Sequence, residues 1–422
     1  MKKVLVAGAA LLLVGGMVGS AMAEVNLSGD ARVRWVVKDN YGGASGPFGK
    51  NFGNGGGYVD GQYVEQDTVN YFDSRIRVKV DAASKGGAWA KARIRMNDFK
   101  WDGQGYGAVD EKKNIWVDYA YIGVPVGPTT LIGGEVRWDV TTFFQWDVRP
   151  TVAALNYKND NVDIYGLYIV EDDYPNAYDD LKDNNMRAYG IYAKANINAD
   201  WSVLGYGLYN DDQRDYNSDL SSRNGNDNSG FLGTLHVDGN AAGLGITGEI
   251  AYVNSDVQGT ENDGWGGYAE VSYAIGALTP ALNIGFTKDS YVADGDFGWL
   301  MIGDIEPIAV LKNVGGVGED WTWIAGTVDY AVSENLKLTG NLVWASVDTN
   351  DDTALNVNRL ANLLEISGEA VYTVSEGANL TAAVGYLGPD FDGRADGIST
   401  VDGVNFNDDS AFGGMLQMEI KF

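Results

Sequence analysis

Apolar and polar residues alternate one by one through most of this chain. Between Leu416 and Phe422 every even position is apolar, and the odd positions are glutamine, glutamate and lysine. Successive side chains of a β-strand point to opposite faces, so this segment predicts a strand with one apolar face that ends on an aromatic residue. The alternation fits an edge strand of a soluble β-sandwich as well as a strand of a membrane barrel.

The same period recurs along the chain and predicts eighteen strands, an even number that brings both termini to one end of the sheet. Long, polar connections alternate with short ones, as they do where outer loops and short turns join the strands of an antiparallel membrane barrel. About ten residues are enough for a tilted strand to cross a bilayer. The predicted strands are 25–37, 72–82, 88–96, 114–124, 129–137, 151–158, 162–170, 186–195, 201–209, 231–238, 243–253, 265–275, 281–287, 322–332, 336–346, 364–374, 380–387 and 411–422.

Aromatic residues of the apolar parity collect at the ends of these strands. Near the long loops they are Trp35, Phe231, Tyr252, Trp265, Phe286, Trp344, Tyr386 and Phe412, and near the short turns Tyr273, Tyr330, Tyr372 and Phe422. A sandwich would bury aromatics in mid-strand, whereas a membrane barrel places them at the two headgroup levels. The pattern therefore favours an all-β, transmembrane antiparallel up-and-down β-barrel with short periplasmic turns and long extracellular loops.

Residues 1–23 have the layout of a secretory signal peptide: two lysines, an apolar run, and Ala21-Met22-Ala23 before Glu24. No linker divides the rest, so we expect one barrel domain over residues 24–422. The chain has no cysteine, and a closed ladder of backbone hydrogen bonds does not require disulfides. The formal net charge of −28 argues against a nucleic-acid partner.

Several short motifs resemble the general porins of Gram-negative bacteria. They are the Ser-Arg strand Asp73–Lys79, the hairpin start Ala120–Val124, and the turns Tyr330–Glu334 and Tyr372–Glu376. The resemblance implies a homotrimeric diffusion porin of the outer membrane, surrounded by lipid and lipopolysaccharide. It also implies that Phe422 is the signal read by the barrel-assembly machinery. Two features depart from the family: its members have sixteen strands, which is therefore the alternative count, and the third-loop segment here lacks the acidic cluster of the enteric members.

If the apolar parity faces lipid, the polar parity faces a lumen, which at this strand number holds a water channel. The first three strands supply a basic wall of Arg32, Arg34, Arg75, Arg77, Lys79, Lys91, Arg93 and Arg95. Later strands supply the acidic lining residues Glu249, Glu270, Glu365, Glu369 and Glu419. Opposed charges across a narrow passage would create a transverse field that orients dipolar solutes and screens ions. Ion pairs with Asp30, Asp73 and Asp81 would also stiffen the wall.

The segment Val136–Pro150 occupies the third-loop position and is rich in aromatics that are costly to leave in water. Its candidate constriction residues are Trp138, Asp139, Phe143, Phe144, Trp146 and Asp147. Folding inward would bury the rings and set Asp139 and Asp147 opposite the basic wall. A loop packed on its outer neighbours, or a contact between subunits, would bury the rings as well.

The other long loops are dense in carboxylates such as Asp294 and Asp296, and Asp348 to Asp352 begins like a calcium loop without completing one. We expect a solvated, charge-repelling surface without a dedicated metal site, or loops bridged to lipopolysaccharide by divalent cations. His236 is the only histidine, which leaves a nucleophilic catalytic site without its usual residues. The sequence thus predicts passive passage of small hydrophilic solutes and ions, with no cofactor and no enzymatic activity. The alternative is a structural or adhesive barrel whose lumen the 288–320 loop plugs.

Overall fold

Eighteen antiparallel strands form one closed sheet in the computed structural model, which confirms the predicted barrel and excludes the alternative count of sixteen. The described residues are 22–39, 57–59, 62–64, 68–101, 115–173, 185–212, 228–289, 291–303, 307–316, 318–349, 359–392, 400–401, 404–405 and 410–422. The predicted signal peptide falls almost wholly outside them, as does most of the carboxylate run from Asp348 to Asp352.

Each predicted strand corresponds to one barrel strand. In chain order they are β1 Met22–Asp39, β2 Val69–Ser84, β3 Trp89–Trp101, β4 Ile115–Val126, β5 Thr129–Glu135, β6 Thr151–Lys158, β7 Val162–Asp173, β8 Asn185–Asn196, β9 Trp201–Asp212, β10 Gly230–Ala241, β11 Leu244–Val253, β12 Gly264–Tyr273, β13 Leu278–Lys288, β14 Glu319–Ser333, β15 Leu336–Thr349, β16 Arg359–Ser375, β17 Ala378–Asp392 and β18 Ala411–Lys421. Outside the barrel lie two short hairpins, Gly57–Val59 with Gln62–Val64 and Thr400–Val401 with Val404–Asn405, and the one-turn helix α1, Ser255–Gln258. Among the described helical residues none belongs to a helix long and apolar enough to cross a membrane.

The barrel closes where β1 pairs with β18 on one side and with β2 on the other. Gly29 and Phe422 exchange two backbone hydrogen bonds of 2.6 and 3.0 Å at this seam. A Cβ atom on Gly29 would lie 2.4 Å from the Arg77 carbonyl oxygen and 2.7 Å from the Phe422 ring. Only glycine fits this crossing, and closure leaves no unpaired sheet edge.

The apolar parity faces outward, as the alternation predicts. Leu27, Leu342 and Leu416 keep more than half of their surface exposed on the outer wall, and the terminal aromatics of the strands lie on the same surface. Such a wide apolar exterior would be unfavourable in water and is typical of a surface covered by lipid.

The inner wall changes character along its height. At the loop ends of β6–β17 the inward residues are also apolar and buried, as at Trp321, Val343 and Leu363. Nearer the short turns they are polar and hydrogen-bonded to each other, as Asn341 is to Thr327 and Ser367 at 3.0 and 3.1 Å. The expectation that the inward parity faces water along the whole strand is therefore wrong at the loop ends, where two chain segments fold inward and cover it.

Candidate functional site

The first of these segments is the 136–150 loop between β5 and β6. It doubles back as an irregular hairpin in which the N–H groups of Val136 and Trp138 donate to the carbonyls of Pro150 and Val148, both at 3.0 Å. The chain therefore leaves and re-enters the wall at neighbouring strands while its tip lies inside the barrel. Of the three arrangements considered for this segment, the structure has the inward one.

Phe143, at the tip, is fully buried in a cage of aromatic rings. Its ring centroid lies 4.7 to 5.3 Å from those of Tyr268, Tyr291 and Phe297. A Cβ atom on Gly266 would lie 2.9 Å from the Phe143 ring, so this glycine of β12 makes room for the cage. Because the loop starts at β5 and its tip contacts β12, it extends along the inner face of the strands between them.

Other side chains attach the loop along that route. Phe144 contacts Tyr206 of β9 at 5.7 Å between centroids, and Trp138 contacts Tyr165 of β7 and Tyr192 of β8 at 5.1 and 5.5 Å. The three rings on the wall are tyrosines, which pack an apolar face while carrying a hydroxyl for solvent or a partner. The apolar contacts fix the path of the loop across the lumen.

A buried polar contact adds to them. The Thr141 hydroxyl donates to Glu249 Oε1 at 2.6 Å, and the Thr234 hydroxyl donates to the same oxygen at 2.7 Å. His236 lies between Glu249 Oε2, at 3.0 Å, and Asp238 Oδ2, at 2.8 Å. Both ring nitrogens of the histidine thus contact carboxylates, and its role in the structure is to hold Glu249 where the loop binds.

The second inward segment, 291–316 between β13 and β14, is buried over most of its described length. The Ile302 N–H donates to Glu365 Oε2 at 3.0 Å, and a Cβ atom on Gly385 would lie 2.4 Å from the sulfur of Met301. The segment therefore packs against β16 and β17, and only β18 separates these strands from β1. The alternative hypothesis, a barrel plugged by the 288–320 loop, predicts that this segment lies inside the lumen.

The two inward segments meet directly. The carbonyl oxygen of Phe143 accepts hydrogen bonds from the Tyr291 hydroxyl at 3.0 Å and from the Asp294 N–H at 3.1 Å. The Trp146 N–H donates to Asp294 Oδ2 at 3.0 Å. The expectation of a solvated outer position is thus wrong for Asp294 and Asp296, because the aromatic cage draws their segment inward.

Burial changes the ionisation of these two carboxyls, which lie outside the strands. Burial and the neighbouring carboxylates Asp294 and Asp147 raise the pKa of Asp296 to about 6. Burial is also the largest effect on Asp294 and raises its pKa, although two backbone hydrogen bonds act in the opposite direction; Asp147 and Asp139 add smaller raising contributions. The charge at this junction therefore changes over the mildly acidic range.

The eight predicted basic residues all lie on the inner face of β1–β3. Arg34 bonds to Asp73 and Arg77 to Asp30, both at 2.9 Å, so the carboxylates expected to stiffen the wall are its ion-pair partners. Cross-strand register places like charges opposite each other as well: Arg32 faces Arg75, Arg77 faces Arg95, and Lys79 faces Arg93. Adjacent like charges are unfavourable in a sheet, which indicates a wall arranged for its charge rather than for stability.

A β-bulge in β4 places a carboxylate within this wall. Two consecutive residues, Asp118 and Tyr119, are buried, because the register shifts opposite Arg93. Asp118 pairs with Arg93, with Arg95 at 3.0 Å, and with Arg149 at 3.5 Å. Sequence reasoning missed Asp118, although its signal was available: the apolar parity changes between Val117 and Ala120.

The two carboxylates Asp139 and Asp147 of the 136–150 loop share Arg137, and Asp147 also contacts the basic wall. Asp147 lies 3.7 Å from Arg93 and 2.8 Å from Arg149, so it faces the basic wall. Asp139 instead bonds at 2.9 Å to Arg137 of its own loop, which also holds Asp147 at 2.8 Å. Arg137 and Arg149 were not among the expected site residues. The signal in the sequence was their spacing, since each lies two residues from an aspartate in a hairpin and can form an ion pair with it.

The acidic lining residues fall into two groups. Glu270 bonds to Asn283 at 3.1 Å, and Glu369 and Glu419 lie on the polar inner wall towards the short turns. Glu249 and Glu365 also face inward, but the inward segments cover them completely. Their assignment as lining residues of a water-filled lumen is wrong, since each accepts hydrogen bonds from an inward segment instead.

No family model matches the chain, and no curated protein matches it. Among solved structures it is similar to Pseudomonas aeruginosa OpdO, with 12% identity over 94% of this chain and 97% of that one and a TM-score of 0.56. It is also similar to Pseudomonas aeruginosa OpdQ, with 10% identity over 94% of this chain and 98% of that one and a TM-score of 0.55. A BenF-like porin from Pseudomonas fluorescens Pf-5 has 10% identity over 95% of this chain and 99% of its own, with a TM-score of 0.55. At these identities the likeness is one of fold, and the chain has a closed antiparallel barrel like those of the three proteins.

Proposed function

We propose that this protein is an outer-membrane porin that forms a water-filled channel for passive diffusion of small hydrophilic solutes and ions. The observation that supports it most is a ladder of basic side chains, with Asp30 and Asp73 among them, on the inner face of β1–β3. The ladder begins with Lys38 at the loop end, includes the eight arginines and lysines of the basic wall, and ends with Lys91 near the short turn. A structural barrel gains nothing from so many like charges on one wall.

The inward segments give the passage its position. They fill the loop-end lumen along β6–β17 with packed side chains, and the proposed route for water runs along the basic wall of β2 and β3. There the ladder faces Asp147, and charges of opposite sign lie close together in surroundings of low dielectric constant. Such a field orients dipolar solutes and gives anionic groups a series of partners along the wall.

The second candidate function is a plugged structural or adhesive barrel, and the burial of the 291–316 segment favours it. Against it, part of the ladder remains accessible: 19% of Arg77 and 48% of Lys91 are exposed, whereas Arg93 is buried. In a closed plug, like-charged neighbours such as Arg32 and Arg75 would be desolvated beside each other, which is costly. The accessible ladder therefore favours the channel.

We further propose that residues 1–23 direct export, that the mature chain resides in lipid and lipopolysaccharide, and that it assembles as a homotrimer. Phe422 is proposed as the assembly signal, consistent with a ring that is 60% exposed at the barrel seam. Sedimentation of the detergent-solubilised protein at the mass of one chain would exclude the trimer.

Planar-bilayer recording tests the channel. Purified protein should produce discrete conductance steps, and the triple substitution Arg75→Gln, Arg77→Gln and Arg93→Gln should shift the reversal potential in a salt gradient towards cations. Lys85→Gln, an exposed charge in a short turn, is the matched control and should leave the potential unchanged. If folded protein gives no conductance steps, the plugged barrel is established. If the protein gives steps but the triple variant has the reversal potential of wild type, the ladder has only a structural role.

A further inference from the structure

Four carboxylates converge where the two inward segments meet. On the 136–150 loop, Asp139 and Asp147 share the guanidinium of Arg137 at 2.9 and 2.8 Å. On the 291–316 segment, Asp294 and Asp296 form no ion pair of 4 Å or less with any residue that the structure describes. The junction therefore carries more negative than positive charge.

We propose that Asp294 and Asp296 are selectivity-determining residues of the channel, forming an acidic face with Asp147, which lies 3.7 Å from Arg93 of the basic ladder. The inference rests on the proposed function, and it assigns the second inward segment a role in solute choice as well as in packing. The sequence placed both residues on an outer loop.

Hydrogen bonds hold these carboxylates in place. Asp294 donates its N–H to Phe143 and accepts the Trp146 N–H, while its other carboxylate oxygen accepts the Asp296 N–H at 3.1 Å. Phe143 is in turn fixed by its aromatic cage. A charge on a rigid support acts on a passing ion at a constant distance, which is the condition for electrostatic selection.

The charge of this face depends on pH. The raised pKa values of Asp294 and Asp296, the latter about 6, mean that the junction is fully charged in mildly alkaline medium and loses charge on acidification. The groups that face the pair are Asp139, Asp147 and Arg137 from the 136–150 loop and Tyr291 from their own segment. Loss of negative charge here removes attraction for cations and repulsion of anions, so selectivity should shift towards anions.

The test is the reversal potential of single channels in a salt gradient, measured at about pH 7.5 and about pH 5. Wild-type protein should shift towards anions at the lower pH. Asp296→Asn should show at the higher pH a permeability ratio of anions to cations raised by about two- to fivefold, the effect expected of one charge several ångströms from the ion path. It should also lose most of the pH-dependent shift.

Asp289→Asn is the matched control. It removes a carboxylate at the start of the same connection, at a residue with φ of 50°, which asparagine tolerates, and Asp289 is not among the groups that shift the pKa of Asp294 or Asp296. It should retain the wild-type pH response.

Variants of Asp294 separate charge from positioning. Asp294→Asn removes the charge but keeps an oxygen that can accept the Trp146 N–H, whereas Asp294→Ala removes both. We expect both variants to shift the reversal potential and only the alanine to increase current fluctuations in the open channel. If wild type conducts but Asp294→Asn and Asp296→Asn reproduce its reversal potential at both pH values, the inference is overturned. A wild type without conductance would instead overturn the proposed function.

Discussion

Replacing Phe143 by alanine removes the ring that anchors the 136–150 loop across the lumen. The side chain is fully buried and contacts three aromatic rings within 5.3 Å. Truncating such a side chain costs about 3–5 kcal/mol. Since about 1.4 kcal/mol corresponds to a factor of ten, the ratio of docked to undocked loop should fall by at least about a hundredfold.

The loss should be confined to the loop. The barrel strands keep their backbone ladder, and Thr141 and Trp146 keep their hydrogen bonds to Glu249 and Asp294. We therefore expect Phe143→Ala to fold and insert normally, as judged by heat-modifiable mobility in electrophoresis, while the loop leaves the lumen for part of the time.

Single-channel recording and liposome swelling measure the consequence. Phe143→Ala should give larger and noisier conductance steps and admit larger neutral sugars than wild type. Phe412→Ala removes the same side chain from the outer wall, where 48% of it is exposed, and should behave like wild type in both assays. Steps of unchanged amplitude and noise from a folded Phe143→Ala protein would refute the view that this loop narrows the channel.

Two further predictions concern closure and pH. Gly29→Val should prevent closure of the barrel and lower the yield of heat-modifiable protein, because the valine side chain would overlap the Phe422 ring. Gly414→Val is the control and should fold, because a Cβ atom there would meet nothing within 4 Å. Equal yields from the two variants would contradict this account of the seam. Because the folded-state pKa of Asp296 is raised from 3.8 to about 6, docking of the 291–316 segment should strengthen as pH falls from about 6 towards 3.8 and should be weakest, and level, above about 6. Hydrogen-exchange protection of the Trp299 amide, which donates to Ile302, should follow this change in wild type and much less in Asp296→Asn, where only Asp294 still has a raised pKa.

The alternation of residues determined the strands and their outward faces. A strand that borders lipid must place an apolar side chain at every second position, so residues such as Leu342 and Leu416 identify the outer wall without any tertiary information. The number of strands followed from counting the alternating segments. The pairing of each strand with its neighbour in sequence followed from the alternation of short and long connections.

The inward parity was only partly informative. Arg75, Arg77 and Arg93 lie together because neighbouring strands bring consecutive polar positions onto one face, which the sequence predicts. Glu365 has the same parity and the same charge pattern as a lining residue, yet it is buried, because a segment more than sixty residues away in the chain covers it. Parity specifies a face of the wall and does not specify what lies against that face.

Only the tertiary structure decided which loops fold inward and which charges they bring to the basic ladder. Apolar residues on both parities at the loop ends of β14 and β15, such as Trp321 and Val343, were a local sign that something covers the inner wall. They could not identify the 291–316 segment as its cover or bring Asp294 to Phe143. Those contacts join residues about 150 positions apart, as in the Tyr291 bond to Phe143, and they depend on the shape of the closed barrel rather than on any local pattern.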